Sequence, residues 1–447
     1  MGARRGPSAA GRARWERVSE APVLAADDQE ALRKAAGDEA LVAHEPLQVD
    51  GVPLAWTLRP PDAAALARAL ATLAERGIPV VVRGGGSRLA LGNPPRGARL
   101  LLDTGALAGI DVLDPAEGVL CARAGTPLDA LRAALDDTVW ELPLDPPGAG
   151  ATLGGVLAAA ALGPRHPGFG RPRDVVLGLE MVLGDGLRAR AGGRVVKNVT
   201  GYDLTRLQVG ALGTLGVITS AWLRLRPRPA RVEAWSAELA PGGDAWGAAL
   251  AAARLSSARA AAVVDASLAA ALEPSRASST GPLLLVELAG DEAAVAAEAR
   301  ALAQRCGAEP ASPGALARLR ALHGEAFGPA GLRFVLAVLP SRLAAVSERL
   351  ERAGAAWIAH PASGIVIARF ALERAVDAPA ADRAWRAARE AARAGEGGAV
   401  LEAAPAWAKS GIDVFGDPLD AAPLLRALKQ RFDPAGVLNP GRGPGRL

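Results

Sequence analysis

The sequence predicts an α+β protein with a larger domain over residues 46–228 and a smaller α+β domain over 229–396. Three observations predict it. From about Pro46 to Arg228, short β-type runs alternate with Ala/Leu-rich helical runs, and glycines mark the boundaries. The pattern breaks at Arg226-Pro227-Arg228-Pro229, where prolines at alternate positions interrupt regular structure. A second alternation, dominated by Ala-rich helices, then runs to about residue 395.

The elements follow in order. Residues 1–45 read as a tail and a lead-in helix. Arg4, Arg5, Arg12 and Arg14 make the tail basic, and it is expected to be disordered. Pro61-Asp62 opens a helix over Ala63–Arg76 that Gly77 stops. Extended runs are expected at Pro79–Val82, Arg99–Asp103, Val119–Ala124, Val175–Leu183 and Val217–Leu225. Thr126-Pro127 opens a helix over Leu128–Leu135, with Thr as cap and Pro at a tolerated position. Gly184-Asp185-Gly186 and Gly192-Gly193 read as hairpin turns. In the smaller domain, strands are expected at Ala261–Val264, Leu283–Glu287, Arg333–Leu339 and Gly364–Phe370, and helices at Asp291–Cys306 and Ser341–Arg352. The segment 397–447 carries a helix over Asp420–Phe432 and a loop, Asp433 to Arg442, which apolar Val437 and Leu438 are expected to fix in place.

A chain of 447 residues holds two or three domains with hydrophobic cores. The 51 basic and 47 acidic side chains nearly balance, which fits a mixed solvated surface and argues against a nucleic-acid footprint. No apolar stretch follows the N-terminal arginines, so no secretory signal is expected. The longest apolar run, Leu153–Leu162, is too short for the roughly 20 residues of a membrane span. A cytoplasmic protein is therefore expected, without direct membrane insertion. Cys121 and Cys306 belong to no motif and read as buried small hydrophobes.

Chemistry concentrates in glycine. Arg83-Gly84-Gly85-Gly86-Ser87 follows the run Ile78–Val82, so three residues without Cβ open directly from a strand. Taken alone, this is a tight turn as readily as a phosphate cradle, and it matches neither Gly-x-Gly-x-x-Gly nor a triphosphate loop. A second Gly-rich segment spans Pro147 to Gly155. Further blocks follow: Arg173 to Leu179, Lys197-Asn198-Val199-Thr200-Gly201-Tyr202-Asp203-Leu204, Gly213 to Thr219, and the closing Asn439-Pro440-Gly441-Arg442.

These ordered blocks resemble the FAD-linked oxidases of the vanillyl-alcohol oxidase type, most closely the FAD-binding subunits of glycolate oxidases. The resemblance implies a two-part FAD-binding domain and a smaller α+β cap, with segment 397–447 returning to the flavin. It implies noncovalent FAD, cradled at its pyrophosphate by Arg83, Gly84, Gly85, Gly86 and Ser87. Pro147, Gly150, Ala151, Thr152, Gly154 and Gly155 would lie against the other side, with the Thr152 hydroxyl toward a phosphate or ribose. Gly216, Val217 and Ile218 would approach the adenine or the flavin-proximal chain, and Arg442 would add positive charge near the flavin. Lys197 and Tyr202 are further site candidates, with strand-end and packing roles as their alternatives.

The departures from the family are specific. Covalently flavinylated members carry a histidine near the first glycine loop, where this chain has Gly84-Gly85-Gly86-Ser87-Arg88-Leu89. Hydroxy-acid dehydrogenases of the family carry a Gly-His-x-Gly-Asp-Gly-Asn-x-His motif whose histidines hold a metal. In the matching stretch, Ala359–Ile367, His360 remains, but Ser363 replaces the Asp, Ile365 the Asn and Ile367 the second His. A lone imidazole makes a poor divalent-metal site, so no metal is expected. The family's Glu-His-Gly-x-Gly motif, which supplies a histidine base, corresponds to Gly398–Pro405, which has no histidine. His44 and His166 are read as loop residues and His323 as lying before a Gly-rich turn; the catalytic candidates are His360, His166 and Arg442.

The expected function is flavin-dependent oxidation of a small 2-hydroxy acid, glycolate to glyoxylate, as one subunit of a complex. The resemblance implies a catalytic flavoprotein subunit and an iron–sulfur subunit as partners, with membrane association only through them. The chain itself has no cysteine cluster for iron–sulfur ligation. Two alternatives stay open: a self-sufficient D-2-hydroxyacid (D-lactate) dehydrogenase, and a noncatalytic assembly subunit that keeps the FAD fold.

Overall fold

The computed structural model describes residues 21–194, 203–239, 244–276, 279–324, 331–374, 376–417 and 420–447. Lys197 and Tyr202 lie outside the described residues. The described residues form three substantial β-sheets.

The first sheet has the order β1-β2-β4-β3, from Leu41–Val49, Val52–Leu58, Leu100–Asp103 and Val80–Arg83 respectively. Asp50 and Gly51 both take positive φ, 47° and 82°, and join β1 to β2 in the manner of a two-residue Asp-Gly hairpin. His44 therefore sits in a strand and not in a loop. Helix Ala63–Glu75 crosses over from β2 to β3. Its cap is Asp62, whose carboxylate accepts from the Ala65 N–H at 2.7 Å. Leu66, Leu70 and Leu73 recur at helical spacing and are fully buried against the sheet. The lead-in helix, Ala26–Ala36, packs on this same core.

The second sheet, β5-β6-β10-β8-β9, is antiparallel throughout. Its strands are Ile110–Asp114, Val119–Arg123, Val217–Arg224, Val176–Val182 and Arg188–Gly192. Gly184–Gly186 makes the expected turn between β8 and β9, with Gly186 at φ 85°. Gly192 instead ends β9, and the chain beyond residue 194 is not among the described residues until 203. Two short strands, β7 (Trp140–Glu141) and β11 (Arg226–Pro227), pair with each other beside it.

The third sheet has eight antiparallel strands in the order β15-β12-β14-β13-β17-β18-β16-β19. They span Glu309–Pro310, Arg231–Glu238, Leu283–Gly290, Ala258–Val264, Ala356–His360, Ile365–Phe370, Leu332–Ala337 and Gly398–Ala403. Along β16 the pleat alternates: Phe334 and Leu336 are buried under helices Leu343–Arg352 and Ala378–Ala394, while Arg333 and Val335 point to the opposite face. That opposite face looks toward the first two sheets. β19 pairs along β16, so the segment beginning at 397 first completes this sheet before it returns to the first one. That edge strand is not legible in the sequence, because Gly398–Ala403 is short and rich in small residues.

Ion pairs tie the third sheet to β7 and to the loop before helix His166–Phe169. Glu287 accepts from Arg165 Nε and Nη2, both at 2.8 Å, and from Arg259 Nε at 2.7 Å, while Arg259 Nη1 reaches Glu141 at 3.0 Å.

Candidate functional site

β3 is an apolar strand that ends in the triple glycine, and its free edge is closed from far along the chain. The Val80 N–H donates to Val437 O at 2.8 Å and the Asn439 N–H to Val80 O at 3.0 Å. Asn439 sits at φ 46°; its side-chain oxygen accepts from the Val82 N–H at 3.0 Å and its amide donates to Leu212 O at 2.7 Å. Asparagine tolerates that left-handed backbone and supplies both hydrogen-bonding functions.

The two glycine segments meet. A Cβ on Gly85 would stand 1.7 Å from Gly150 O, and one on Gly84 would stand 2.3 Å from Thr152 Oγ1. The Thr152 hydroxyl accepts from the Gly85 N–H at 3.2 Å, so it braces the first loop. Arg83 donates through Nε to Asp103 at 3.0 Å and is held beside the loop.

A narrow cleft of about 90 Å³ runs between these segments. Its walls include Arg83, Gly84, Gly85, Gly86, Ser87, Thr152, Gly154, Gly155, Gly216, Val217, Ile218 and Arg442. Three residues singled out with them stand apart from it. Pro147 lines a small side pocket, Ala151 is core, and Gly150 serves the close contact with Gly85. Arg442 is at the wall, but its guanidinium is engaged: Nη1 pairs with Asp50 at 3.3 Å, and Nη2 donates to Leu89 O and Leu91 O at 2.6 Å. Asp50 also holds Lys409, a wholly buried ammonium 2.6 Å away.

The cleft adjoins a cavity of about 440 Å³ between the first two sheets and the third, and Arg88, Leu91, Ala159 and Leu212 line both. Most of the cavity wall is aliphatic, from residues such as Leu162, Leu207, Val335 and Ile367. Its polar groups include Arg88, Glu402, His166, His323 and His360.

Three of the four histidines therefore converge here, and all are buried. His166 is not a solvated loop residue. It begins the short helix His166–Phe169, where the imidazole lies between Gly163 O (Nδ1, 2.9 Å) and Ser363 Oγ (Nε2, 2.8 Å). His360 Nδ1 lies 3.0 Å from Ala261 O, a partner that can only accept. A neutral His360 thus carries its proton on Nδ1 and accepts at Nε2, so His323 Nε2, 3.1 Å away, must donate to it. The His323 Nδ1 is left with a lone pair and is buried without a hydrogen-bond partner.

Burial holds all three imidazoles neutral, pulling His323 and His360 far below the ordinary histidine value and His166 down to about 4. The direct Nε2–Nε2 approach of His323 and His360 leaves no space for an ion between them. Among the described residues no group of three or more His, Cys, Asp or Glu side chains could hold a metal.

Arg88 and Arg333 take opposite oxygens of Glu402: Arg88 Nη1 contacts Oε1, and Arg333 Nε lies 2.9 Å from Oε2. Sequence reasoning missed His323, Arg88, Arg333 and Glu402 as site residues. Arg88 directly follows the glycine loop, and Glu402 lies in the stretch read only for its missing histidine; those were the available signals.

Comparison with known proteins agrees with this layout. Residues 54–192 match the family described as FAD binding domain, and residues 418–442 match the C-terminal domain of FAD linked oxidases. Over 153 residues the chain is 46% identical to the glycolate oxidase subunit GlcE of Escherichia coli (strain K12), covering 34% of this chain and 43% of that protein. It is 40% identical over 154 residues to a D-lactate dehydrogenase of Archaeoglobus fulgidus, 34% of each chain. It is also 37% identical over 166 residues to the glycolate oxidase subunit GlcD of Bacillus subtilis (strain 168), 37% of this chain and 35% of that one. The matches thus span less than half of these relatives. In fold, the chain superposes on 4-ethylphenol oxidase from Gulosibacter chungangensis with a TM-score of 0.69 at 16% identity, over 98% of both chains. It superposes on p-cresol methylhydroxylase with a TM-score of 0.70 at 16% identity, over 93% of this chain and 96% of the other.

Proposed function

We propose, for a chain that belongs to the FAD-linked oxidases and takes FAD as its cofactor, that it is the flavin-binding subunit of a glycolate oxidase-type complex. It takes part in oxidising a small 2-hydroxy acid, glycolate to glyoxylate, and passes electrons to a partner. The observation that carries this reading is the glycine-walled cleft opening into a cavity with buried histidines, arginines and one carboxylate.

The residues present fit the cofactor. Gly84 and Gly85 have no room for a Cβ, and Gly86 takes φ 79°, so the first loop lines the cleft there as backbone without side chains. Gly84–Ser87 would hold the pyrophosphate from one side and Thr152, Gly154 and Gly155 from the other, with Gly216–Ile218 along the chain between them. No histidine or cysteine stands in the first loop, which supports noncovalent attachment. FAD, when bound, supplies the two-electron acceptor. The cavity wall is mostly aliphatic, and the neutral His323 keeps one acceptor, Nδ1, without a protein partner beside it.

The partners are a catalytic flavoprotein subunit and an iron–sulfur subunit, in the cytoplasm and at the membrane only through them. Among the described residues no helix is long and apolar enough to cross a membrane. A second reading, a self-sufficient D-lactate dehydrogenase, draws support from the unpartnered His323 Nδ1 beside the cavity.

Purified chain, without other subunits, tests these readings. A yellow protein unbleached by glycolate or D-lactate, but active once its partners are added, is the expected result. Bleaching of the isolated chain by either acid would move the assignment to the self-sufficient enzyme. A folded but colourless protein would leave only a scaffold.

A further inference from the structure

We propose that an arginine-lined groove beside the β7–β11 ribbon is a docking site for an extended, acidic segment of a partner protein. The groove measures about 680 Å³ and runs between β11, the start of β13 and the start of helix Glu292–Cys306. None of its residues lines the glycine cleft or the large cavity, so the site does not depend on the flavin.

The chain's 51 basic and 47 acidic residues nearly balance, but here four arginines meet two carboxylates. The arginines are Arg226, Arg228, Arg254 and Arg259, and the carboxylates are Glu141 and Asp291. Arg259 and Glu141 are already matched. They belong to the run Arg165–Glu287–Arg259–Glu141, whose two cations and two anions satisfy one another. Asp291 caps its helix, with Oδ1 accepting from the Ala293 and Ala294 N–H groups at 2.9 and 3.3 Å. The other three arginines are exposed and have no carboxylate partner among the described residues.

Two of those three are nevertheless held in place. Arg226 donates through Nη1 to Gly168 O, and its guanidinium carbon stands 5.9 Å from the centre of the Phe169 ring. Arg228 donates through Nη2 to Leu135 O at 2.9 Å and to Trp140 O at 3.3 Å. A carbonyl fixes a guanidinium without cancelling its charge, and each arginine keeps further N–H donors for a carboxylate. Pro167, Pro227 and Pro229 stiffen the same wall. Donors ordered before binding lose less entropy when a ligand arrives.

Spacing selects the occupant. Arg226 and Arg228 lie on one extended run: Arg226 pairs with Glu141, Pro227 with Trp140, and the Arg228 N–H donates to Val139 O at 2.7 Å. Residues two apart on such a run share a face and stand about 7 Å apart. Carboxylates on alternate residues of an extended peptide repeat at the same interval. Arg254, just beyond helix Ala245–Ala253, brings a third cation from another element. A single small anion needs donors that converge, whereas Arg226 and Arg228 are tied to separate carbonyls. A flat anionic bilayer would meet the rim of the groove and not its wall.

The test uses the full-length chain and a fluorescein-labelled hexapeptide of alternating glutamate and alanine, followed by fluorescence anisotropy. The matching glutamine–alanine peptide is the control. Saturable binding of the glutamate peptide alone is expected, weakening severalfold as ionic strength rises from about 0.02 to about 0.15 M. Arg226→Gln, Arg228→Gln and Arg254→Gln should each weaken it by about two- to fivefold, and the triple variant by about tenfold or more. Arg254 holds no other group, so Arg254→Glu separates charge from fold; it should weaken binding more than Arg254→Gln with an unchanged thermal midpoint. Arg349→Gln and Arg383→Gln, on helices outside the groove, should leave binding as it is. No binding by the unaltered chain, equal binding of the glutamine peptide, or indifference to Arg254→Glu overturns the proposal. So does displacement of the peptide by an equal concentration of inorganic phosphate, which would mark a small-anion site, or tighter binding of a single-stranded oligonucleotide. Flavin-free protein should bind the peptide equally well, so a failure of the flavin reading would leave this site standing.

Discussion

His323 and His360 face each other Nε2 to Nε2 at 3.1 Å, and the Ala261 carbonyl on the far side of His360 sets which of them donates. His360 cannot take a second proton without losing that contact, since two N–H groups would then oppose each other, while burial disfavours a charge on either ring. His166 packs edge-on against His360, with ring centroids 4.6 Å apart, and burial disfavours the charged form of all three imidazoles.

Acid should therefore loosen the protein. Burial puts the folded pKa of His166 at about 4, below its ordinary 6.5, so the unfolded chain binds more protons between those values. Stability is complete above about pH 6.5 and is lost as pH falls toward 4. Between pH 7.5 and 5.0 the loss from His166 alone is about 2 kcal/mol by linkage. Thermal unfolding at the two pH values measures it, and His166→Asn should flatten the dependence.

Gly85→Ala should abolish flavin retention, because its Cβ would lie 1.7 Å from Gly150 O and must push the two loops apart. Gly155→Ala should be mild, since its Cβ meets only Thr152 Oγ1, at 3.2 Å. The ratio of flavin to protein absorbance after gel filtration reads both. A yellow Gly85→Ala protein with full flavin content would contradict the cleft assignment.

Asn439→Ala removes two hydrogen bonds at once, to Val82 N and Leu212 O, and places an alanine at φ 46°. The expected cost is about 2–4 kcal/mol in denaturant unfolding, together with weakened FAD binding. Asn439→Asp keeps the acceptor and should lose less.

Asp50 balances two buried cations, Lys409 and Arg442, so substitutions around it should rank by the charge they leave uncompensated. Asp50→Asn strands both and should cost about 3–5 kcal/mol, whereas Lys409→Met leaves a matched Asp50–Arg442 pair and should cost less. Urea unfolding of the two variants compares them. The reverse order would mean that the Lys409 ammonium bonds to Ala90 O and Gly92 O dominate.

The glycine loop was legible because its cause is local: an apolar strand followed by three residues without side chains. The smaller domain's strands at Leu283 and Gly364 were legible from β-branched and leucine-rich runs. Gly150 shows the limit, since a glycine needed for contact with another backbone reads the same as one needed for a ligand. The histidine cluster was not legible. His166 and Ser363 are 197 residues apart and His323 and His360 are 37 apart, on elements whose adjacency depends on sheet order. Arg88 and Glu402, 314 residues apart, meet only because β19 joins the third sheet.

The bond between Val82 and Asn439 spans 357 residues of chain. During synthesis the glycine loop thus leaves the ribosome long before the segment that closes its strand. The first sheet must wait with an open edge, exposed to mispairing, until residues 437–439 emerge. The glycine cleft consequently has its complete wall only once the chain has been made through Asn439, and flavin supply can bear on the yield of folded protein only from that point on.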